Sequence, residues 1–360
     1  MIRDNQYGKS PVREESGLAE SNTTRDRQAC RRKGFVMKRL LNILGGVLVV
    51  LTVTIIAVVA LLYLRNGHVG TDTDFERSVF LESRPAPLGE AITLKIITFN
   101  IQDMFIVGKD RQVRMRHIAR ALADLDPDIV GFQESFIDKD RQILIRALES
   151  TRLRHHHCYP SGVGGSGLLI SSAWPIREVF FHRYSVSGPP HRVWEGDYWA
   201  GKGVALARVE TPAGMLDFYN THAQAGYGGS NYVEVRKQQM AELAAFMNGS
   251  RAGAAPAFLV GDMNCSPGEE DCEIVVREAG LRRLMKKDSG VDQIFSGSAA
   301  SYNFEVLDTV EIADIVSEGG RTFGLSDHSG FMSTIRVTPA GNAPEQVVSQ
   351  ERVPVAPLNV

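Results

Sequence analysis

Apolar residues form one long uninterrupted block near the start of the chain. Residues 43–64 carry no formal charge and are rich in Leu, Val and Ile. At 1.5 Å per residue a helix of this length spans about 33 Å, enough to cross the roughly 30 Å hydrocarbon core of a bilayer. The pattern predicts a transmembrane signal-anchor helix over 41–64, between a disordered basic tail over 1–40 and a polar linker over 65–90. A cleaved signal peptide is the alternative, which the absence of a clean A-x-A site disfavours.

The charges on either side of the apolar block predict its orientation. Basic residues cluster before the block, whereas one Arg and then acidic residues follow it. Because Lys and Arg favour the cytoplasmic side, we expect a cytoplasmic N-terminus and an extracytoplasmic body. The flanking residues are Arg31, Arg32, Lys33, Lys38 and Arg39 before the block and Arg65, Asp72, Asp74 and Glu76 after it.

Shorter apolar runs of two different periods alternate from residue 91 to residue 338. Their order is strand, helix, strand, helix, then mainly strands, then helix and strand again. This order is typical of two sheets with helices outside them, a layered α/β sandwich. The polar residues 339–360 are predicted to be a disordered tail. Strands are expected at 92–100, 128–134, 167–171, 178–184, 204–210, 215–221, 257–260, 291–295, 310–315 and 330–337, and helices at 111–125, 140–148, 233–247 and 273–279.

Charge is spread unevenly along the chain, whose formal net charge is -2. The first 40 residues hold ten Lys/Arg against five Asp/Glu, and the remaining residues hold 30 against 37. An acidic body lacks the basic surface that supplies most of the affinity for nucleic acids, so we expect no nucleic-acid partner. Four cysteines are too few and too scattered for a disulfide scaffold. Cys265 and Cys272 are close in sequence, however, and an extracytoplasmic location would permit them to pair.

Polar residues of functional type recur where the apolar runs end. Loops at strand ends are where α/β folds collect their chemistry. Each piece alone is a weak signal, since it is more often a turn or a structural hydrogen bond. The six pieces are Thr98-Phe99-Asn100, Gln133-Glu134, Asn220-Thr221-His222, Gly261-Asp262-Met263-Asn264, Val291-Asp292-Gln293-Ile294 and Ser326-Asp327-His328.

Together and in this order, the six pieces resemble the endonuclease/exonuclease/phosphatase superfamily over residues 92 to about 336. The resemblance implies a DNase I-like four-layer α/β/β/α sandwich of two mixed sheets that hydrolyses phosphate esters with a divalent cation. It implies Glu134 as the principal metal ligand, Asn100 as an assisting ligand and Asp327 as support on the metal side. Mg²⁺ is the expected cofactor, with Mn²⁺ as the alternative, because hard cations take oxygen ligands.

The same resemblance assigns the proton-transfer and phosphate-binding roles. A histidine suits a general base because its pKa lies near neutral pH. His328 is the expected base, oriented by Asp292. Asp262 and Asn264 are expected to position the nucleophile and the phosphate, and His222 to stabilise the phosphoryl oxygens.

Two glycine-containing stretches, residues 161–171 and 196–204, resemble the neutral sphingomyelinases. In that family an Asp and a Lys five positions apart act as a switch beside the active site, and Asp197 and Lys202 have this spacing. The resemblance implies that Asp197 holds Lys202 either aimed at the substrate phosphate or turned away from it. Lys202 therefore joins Asn264 and His222 as an expected substrate-binding residue.

Three hypotheses for the function stay open. The first is a membrane-anchored, Mg²⁺-dependent phosphodiesterase that hydrolyses sphingomyelin or a related phospholipid to ceramide, or a diacyl lipid, and a phospho-head group. The second is a nuclease or phosphoinositide phosphatase of the same superfamily, and the third is a catalytically inactive membrane-tethered binding module. The head group is left open because Gln102, Asp103 and Gln293 stand where sphingomyelinases usually have Trp, Gly and Tyr.

Two further clusters have both a functional and a structural interpretation. Trp194, Tyr198 and Trp199 follow Gly188-Pro189-Pro190, and they either enter the membrane interface, which favours Trp and Tyr, or pack on the edge of a sheet. His155-His156-His157 has the residue type of a metal site. Consecutive side chains of an extended run do not converge on one ion, so we expect a loop or strand there without a metal.

Overall fold

The computed structural model of this 360-residue chain describes residues 15–68, 71–104, 107–227, 232–297, 301–312 and 315–340. The chain divides between Leu64 and Arg65 into two units. The described part of the first unit belongs to one helix, α1 (Glu15–His68). Within it, Cys30–Asn66 is the one segment among the described residues that is long and apolar enough to cross a membrane.

Helix α1 begins earlier than the sequence pattern indicates. The structure carries it back to Glu15, whereas we expect a disordered tail as far as residue 40. Each residue added to an existing helix gains a hydrogen bond, and the stretch before the apolar block contains strong helix formers such as Ala, Leu, Glu and Arg. The prediction of a disordered tail rests on the charge and polarity of these residues, which do not report their helix propensity. Residues 1–14 of that tail, and residues 341–360 of the predicted C-terminal tail, lie outside the described residues.

The predicted linker, residues 65–90, is part of the second unit (Arg65–Val360), and it contacts one of the sheets of that unit. The backbone N–H of Asp72 donates to the Phe181 carbonyl at 2.7 Å, and a 3₁₀ turn follows at Phe75–Arg77. The Phe75 ring packs edge-on against Phe180, with 5.1 Å between the ring centroids. Burying an aromatic ring offsets the entropy lost when a polar segment is ordered. This part of the linker is therefore a strap along a sheet.

The second unit contains six further helices and 14 strands among its described residues. The helices are α2 (Val79–Ser83), α3 (Arg111–Leu125), α4 (Asp138–Leu148), α5 (Asp197–Ala200), α6 (Val233–Ser250) and α7 (Glu270–Glu278). The strands are β1 (Ile92–Asp103), β2 (Ile129–Ser135), β3 (His155–Cys158), β4 (Leu169–Ser172), β5 (Ile176–Arg183), β6 (Gly203–Thr211), β7 (Gly214–His222), β8 (Ala257–Asp262), β9 (Arg282–Arg283), β10 (Asp292–Gly297), β11 (Tyr302–Ile312), β12 (Ile315–Glu318), β13 (Arg321–Gly324) and β14 (Gly330–Pro339).

These strands build two six-stranded mixed sheets and one small hairpin. The first sheet has the order β11-β14-β1-β2-β4-β3 and the second the order β5-β6-β7-β8-β10-β9. Each sheet has one parallel pair at its centre, β1 with β2 and β7 with β8. Strands β12 and β13 pair only with each other. The carboxyl ends of the two parallel pairs carry four of the predicted site residues.

Three apolar clusters account for the packing of the layers. Phe218 and Phe258 belong to the cluster between the two sheets. Helices α6 and α7 pack on the outer face of the second sheet. Helices α3 and α4 cover the outer face of the first sheet, where Ile118 and Leu122, one helical turn apart, meet Phe99. The four-layer α/β/β/α sandwich is therefore confirmed.

The structure differs from the predicted elements mainly in short strands that the sequence pattern did not indicate. The predicted strand 310–315 is the end of the longer β11, and a new strand begins at Ile315. Strand β9 and the β12–β13 hairpin have too few apolar residues to give a period of two. The triple-histidine run is strand β3, and it forms no cluster of metal-ligating side chains within the described residues. Cys265 and Cys272 are free, buried thiols, and Cys272 Sγ donates to the Cys265 carbonyl at 3.7 Å.

Candidate active site

The layer between the sheets changes from apolar to polar at one end of the strands. Alternate residues of a strand share a face, so Asp262 lies on the same face of β8 as Phe258 and Val260, which are in the inter-sheet core. His222 follows Phe218 on β7 in the same way. Each polar residue thus faces the opposite sheet. The residues that continue an inter-sheet apolar face are Asn100, His222, Asp262 and Asp292.

A short series of contacts joins the two sheets at this end. Asn100 Nδ2 donates to Asp262 Oδ2 at 3.0 Å. The same Asp262 oxygen lies 3.4 Å from His222 Nε2, and His222 Nε2 lies 3.9 Å from Glu134 Oε1. Asn100, His222 and Asp262 are buried. Two predicted metal-side residues and two predicted phosphate-side residues therefore share one cluster.

Glu134 has the features of a cation ligand. Its backbone is left-handed, with φ 57°, which turns the side chain out of the strand alternation. Burial raises its pKa to about 7, although Lys202 and Asn100 act in the opposite direction. Its Oε2 atom is buried with no hydrogen-bond partner among the described residues. An unpaired carboxylate oxygen beside an amide fits a hard divalent cation.

The other predicted metal-side residues lie around Glu134. Asn100 Oδ1 accepts from the backbone N–H of Gln102 at 3.1 Å, which leaves it a second lone pair. Asp327 is exposed, yet close enough for its charge to raise the pKa of Glu134. A second group of metal-ligating atoms, from Asp262, Asp292 and His328, lies within 4.8 Å. Two members of that second group already bond to each other.

His328 and Asp292 form a hydrogen-bonded pair. His328 Nδ1 lies 2.8 Å from Asp292 Oδ2, and His328 Nε2 lies 3.7 Å from Asp262 Oδ2. Burial lowers the pKa of His328, but the bond to Asp292 and the charge of Asp262 outweigh it and raise that pKa to about 9. Burial raises the pKa of Asp292 to about 6. The predicted orientation of His328 by Asp292 is present in the structure.

Lys202 lies against His222. Lys202 Nζ pairs with Asp197 Oδ1 at 2.7 Å, donates to the Ala223 carbonyl at 2.8 Å and lies 3.0 Å from His222 Nε2. Both members of the Lys202–Asp197 pair are buried. Burial lowers the pKa of His222 well below its usual value, and the Lys202 charge adds to this effect. His222 is therefore a neutral acceptor toward the Lys202 ammonium.

Asn264 and Gln224 complete this side of the cluster. Asn264 has a left-handed backbone, φ 50°, and its Nδ2 donates to the same Ala223 carbonyl that Lys202 uses, at 3.0 Å. Gln224 Nε2 donates to Asp197 Oδ2 at 2.5 Å. Gln224 is a residue of this cluster that the sequence motifs do not single out. Its position two residues after His222, at the end of a buried strand, was the available signal.

Two further amides, Gln133 and Asn220, lie beneath the site. Gln133 Nε2 donates to Asn220 Oδ1 at 2.7 Å, and Asn220 Nδ2 donates to the Phe132 carbonyl at 2.9 Å. Both amides are fully buried. They join β2 to β7 directly below Glu134 and His222, so they fix the spacing of the two sheets under the site.

Residues 97–328 match the family described as Endonuclease/Exonuclease/phosphatase. This chain belongs to the endonuclease/exonuclease/phosphatase family. The matched range contains every predicted site residue. Within this family member, all six sequence pieces meet at one end of the sandwich, except that Asp327 stays at the surface.

Curated relatives of this family member include enzymes of sphingolipid breakdown. It is 31% identical to "Sphingomyelin phosphodiesterase 2" of Homo sapiens over 193 residues, which are 53% of this chain and 45% of that protein. It is 32% identical to "Inositol phosphosphingolipids phospholipase C" of Schizosaccharomyces pombe over 189 residues, 52% of this chain and 44% of that protein. The chain spans less than half the length of these two relatives.

Solved structures share the fold. A crystal structure of Staphylococcus aureus beta toxin with bound magnesium ions superposes with a TM-score of 0.54 at 16% identity, covering 68% of this chain and 99% of that one. "Sphingomyelinase C from Streptomyces griseocarneus" superposes with a TM-score of 0.53 at 18% identity, with the same two coverages. At such identities the likeness is one of fold.

Proposed function

We propose that this chain is a membrane-anchored, Mg²⁺-dependent phosphodiesterase that hydrolyses sphingomyelin or a related phospholipid. The products would be ceramide, or a diacyl lipid, and a phospho-head group. The observation that carries the proposal is the convergence of Glu134, His222 and the His328–Asp292 pair around Asp262. The names of the curated relatives support the choice of a phospholipid over a nucleic acid.

Glu134, Asn100 and Asp327 are the residues that would hold the divalent cation. The buried, unpaired Oε2 of Glu134 is the main support, because a buried carboxylate oxygen without a partner is costly unless a cation or donor reaches it. When bound, a divalent cation spreads the negative charge that develops on the phosphoryl oxygens. Mn²⁺ is the alternative ion, since it accepts the same oxygen ligands.

The proton transfer is assigned to His328. Its Nδ1 is held by Asp292, so Nε2 faces Asp262 across 3.7 Å. In the proposed reaction a water beside this pair, within hydrogen-bond distance of both Nε2 and Asp262, loses a proton to Nε2 and attacks phosphorus. The bond from phosphorus to the ceramide oxygen breaks in line with the attack, and that oxygen takes a proton from solvent. Asp262 orients that water. Proton transfer by a positioned histidine contributes typically about 10²–10⁴-fold to rate.

The phosphate is assigned to Lys202, His222 and Asn264. The Lys202 ammonium is desolvated, so its attraction to a phosphoryl oxygen is stronger than it would be in water. For His222 to donate to a phosphoryl oxygen, its neutral ring takes the tautomer with the proton on Nε2, and Lys202 Nζ turns from Nε2 to the phosphate. The Asn264 amide contributes a second directed hydrogen bond. Asp197 fixes the position of Lys202 through the 2.7 Å ion pair.

The test is a substrate panel with matched variants. Wild type with Mg²⁺ is expected to hydrolyse sphingomyelin or an inositol phosphosphingolipid, and EDTA to abolish hydrolysis. Glu134→Ala and His328→Ala should lose activity with the fold intact, whereas Glu149→Ala and His155→Asn, remote from the site, should retain it. Cleavage of plasmid DNA or phosphoinositides alone would favour the second hypothesis. Lipid binding unaffected by EDTA, without product, would favour the binding module.

We also propose a single-pass membrane protein with a cytoplasmic N-terminus and an extracytoplasmic catalytic unit. The support is the apolar Cys30–Asn66 segment and the excess of Lys and Arg before it. Protease added to sealed, right-side-out vesicles should digest the catalytic unit and spare an N-terminal epitope. Digestion of the epitope alone would reverse the orientation.

A further inference from the structure

Two neighbouring apolar side chains project from the segment between β5 and β6. Val193 is 62% exposed and Trp194 is 75% exposed. Trp194 is the most exposed large hydrophobic side chain among the described residues of the second unit. A tryptophan carries about 150–250 Å² of mostly apolar surface, so leaving it in water is unfavourable. We name this pair of residues the apolar tip.

The apolar tip is braced on both sides. The Glu195 carboxylate, almost fully buried, accepts from Arg192 Nη1 at 3.0 Å and from the Tyr232 hydroxyl. The Glu195 carbonyl accepts from the Tyr227 hydroxyl. A backbone bond also runs from the Glu195 N–H to the Arg192 carbonyl at 3.0 Å. The tip is therefore presented by fixed hydrogen bonds while its own side chains stay in solvent.

The other aromatics of this segment behave differently from Trp194. Tyr198 and Trp199 pack edge-on, with 5.1 Å between ring centroids, and Trp199 Nε1 donates to the Pro190 carbonyl at 3.3 Å. Both are half-buried. The sequence left two interpretations for these aromatics, packing on the protein or entry into the membrane interface. Tyr198 and Trp199 pack on the protein, whereas Trp194 is exposed.

The apolar tip is connected to the active site. The Gly188 N–H, at the start of the segment, donates to Gln224 Oε1 at 2.7 Å, and Gln224 Nε2 donates to the Asp197 carboxylate. Tyr227, which braces the tip, lies close enough to Glu134 that the Glu134 charge helps to raise the pKa of Tyr227. On the neighbouring loop Val163 is 40% exposed. The segment that carries the tip is thus hydrogen-bonded to the Lys202–Asp197 side of the candidate active site, and we call this side the catalytic mouth.

We propose that Val193 and Trp194 insert into the boundary between head groups and acyl chains of a phospholipid bilayer and seat the catalytic mouth on it. This inference rests on the proposed function, because a lipid substrate must be reached at such a surface. Two side chains are far too small for a stable protein interface, which needs about 800 Å² per partner. Trp, in contrast, is favoured at the level of the head groups.

The first test measures insertion directly. The full chain carries three tryptophans, Trp174, Trp194 and Trp199, and α1 alone would attach it to vesicles, so binding is not a useful readout. Reconstitution into phosphatidylcholine–sphingomyelin vesicles with brominated acyl chains should quench part of the tryptophan fluorescence. Trp194→Phe should remove the quenched component, and Trp174→Phe should keep it. Equal quenching of wild type and Trp194→Phe would overturn the proposal.

The second test measures the kinetic consequence. For Val193→Ser/Trp194→Ser reconstituted in vesicles, the apparent KM, expressed as the mole fraction of sphingomyelin, should rise on the order of tenfold. The reason is that the tethered catalytic unit is then no longer held against the surface by buried apolar area. Hydrolysis of a short-chain sphingomyelin below its micelle concentration should not change. Val79→Ser, which removes a side chain 64% exposed on α2, is the matched control.

The two tests separate this inference from the proposed function. If wild type with Mg²⁺ hydrolyses neither sphingomyelin nor an inositol phosphosphingolipid, as monomers or in vesicles, the proposed function fails, and the quenching measurement still decides whether the tip inserts. If the double variant lowers turnover of the monomeric lipid and the vesicles equally, the tip acts on folding or on the site, and the inference fails alone.

Discussion

His328 Nδ1 and Asp292 Oδ2 lie 2.8 Å apart, and the bond between them joins the two sheets. Asp292 begins β10 of the second sheet, whereas His328 lies just before β14 of the first. The sandwich therefore holds the proposed base on one sheet and its proposed orienting carboxylate on the other. Any change in sheet spacing alters this pair, so the chemistry depends on the packing beneath it.

Asp292→Asn should lower kcat and move the acid limb of the pH profile. His328 must be neutral to accept a proton, and Asp292 helps to raise its pKa to about 9. Without that charge the pKa of His328 falls, so the limb shifts to lower pH, and kcat drops by about 10²-fold or more because orientation is lost. kcat measured from pH 5 to 10 checks this, with Asp288→Asn, an exposed carboxylate nearby, as control. An unmoved limb would contradict the role of Asp292.

Breaking the Lys202–Asp197 pair from one side should cost more stability than removing both charges. Both side chains are about 5% exposed, and a buried charge left alone costs about 3–5 kcal/mol. Lys202→Met and Asp197→Asn should each lower the free energy of unfolding, and the double variant should recover part of the loss. Denaturant unfolding in detergent measures the cycle. All three variants should lose activity, and additive losses of stability would argue against a coupled pair.

Gly131→Ala should destabilise the protein through the sheet spacing. An added Cβ at Gly131 would lie 2.4 Å from Val260 Cγ2 and 3.0 Å from the Asn220 amide carbon, so the sheets must separate. Overpacking of this kind costs about 1–3 kcal/mol. Thermal unfolding gives the loss, and Gly280→Ala, where no atom lies within 4 Å but φ is +63°, reports backbone strain without a clash. Equal losses at the two positions would contradict the steric argument.

Mg²⁺ should stabilise the wild type and not Glu134→Gln. A ligand that binds only the folded state stabilises it by about 2.7 kcal/mol at 100 times its Kd. Glu134→Gln keeps the shape and removes the charge, so the rise in Tm with Mg²⁺ should disappear. Glu311→Gln on β11 is the control. A retained Tm shift in Glu134→Gln would move the cation to other ligands, first of all to the Asp262, Asp292 and His328 group.

The placement of the candidate site residues could be predicted in part, because polar residues follow the apolar strand runs, whereas their expected roles rest on the family resemblance. Asp262 lies two residues after Val260, so a buried strand with a polar last residue already places that residue on the core face. Helix α3 was likewise visible from its spacing, with Ile118 and Leu122 on one face. The left-handed backbone of Glu134 was not visible, since a residue type other than Gly gives no sign of φ.

The contacts made by loops could not be predicted. Gln224 connects Gly188 to Asp197, and this depends on how three separated segments come together. The β12–β13 hairpin turns at Gly319 and Gly320, but its strands have four residues each, too short for periodicity to show. The N-terminal part of α1 was missed because helix propagation from an apolar segment is not a property of local charge.

The left-handed backbones of Glu134 and Asn264, φ 57° and 50°, have a consequence for engineering. Glycine adopts this conformation without strain, so a glycine substitution at either position should relieve backbone strain and raise stability. A screen for heat-resistant variants would therefore select such substitutions. Under the proposed roles, each such gain in stability would remove a metal ligand or a phosphate-positioning amide, and we expect the variant to be inactive. Selections for thermostability in this protein should therefore hold residues 134 and 264 constant.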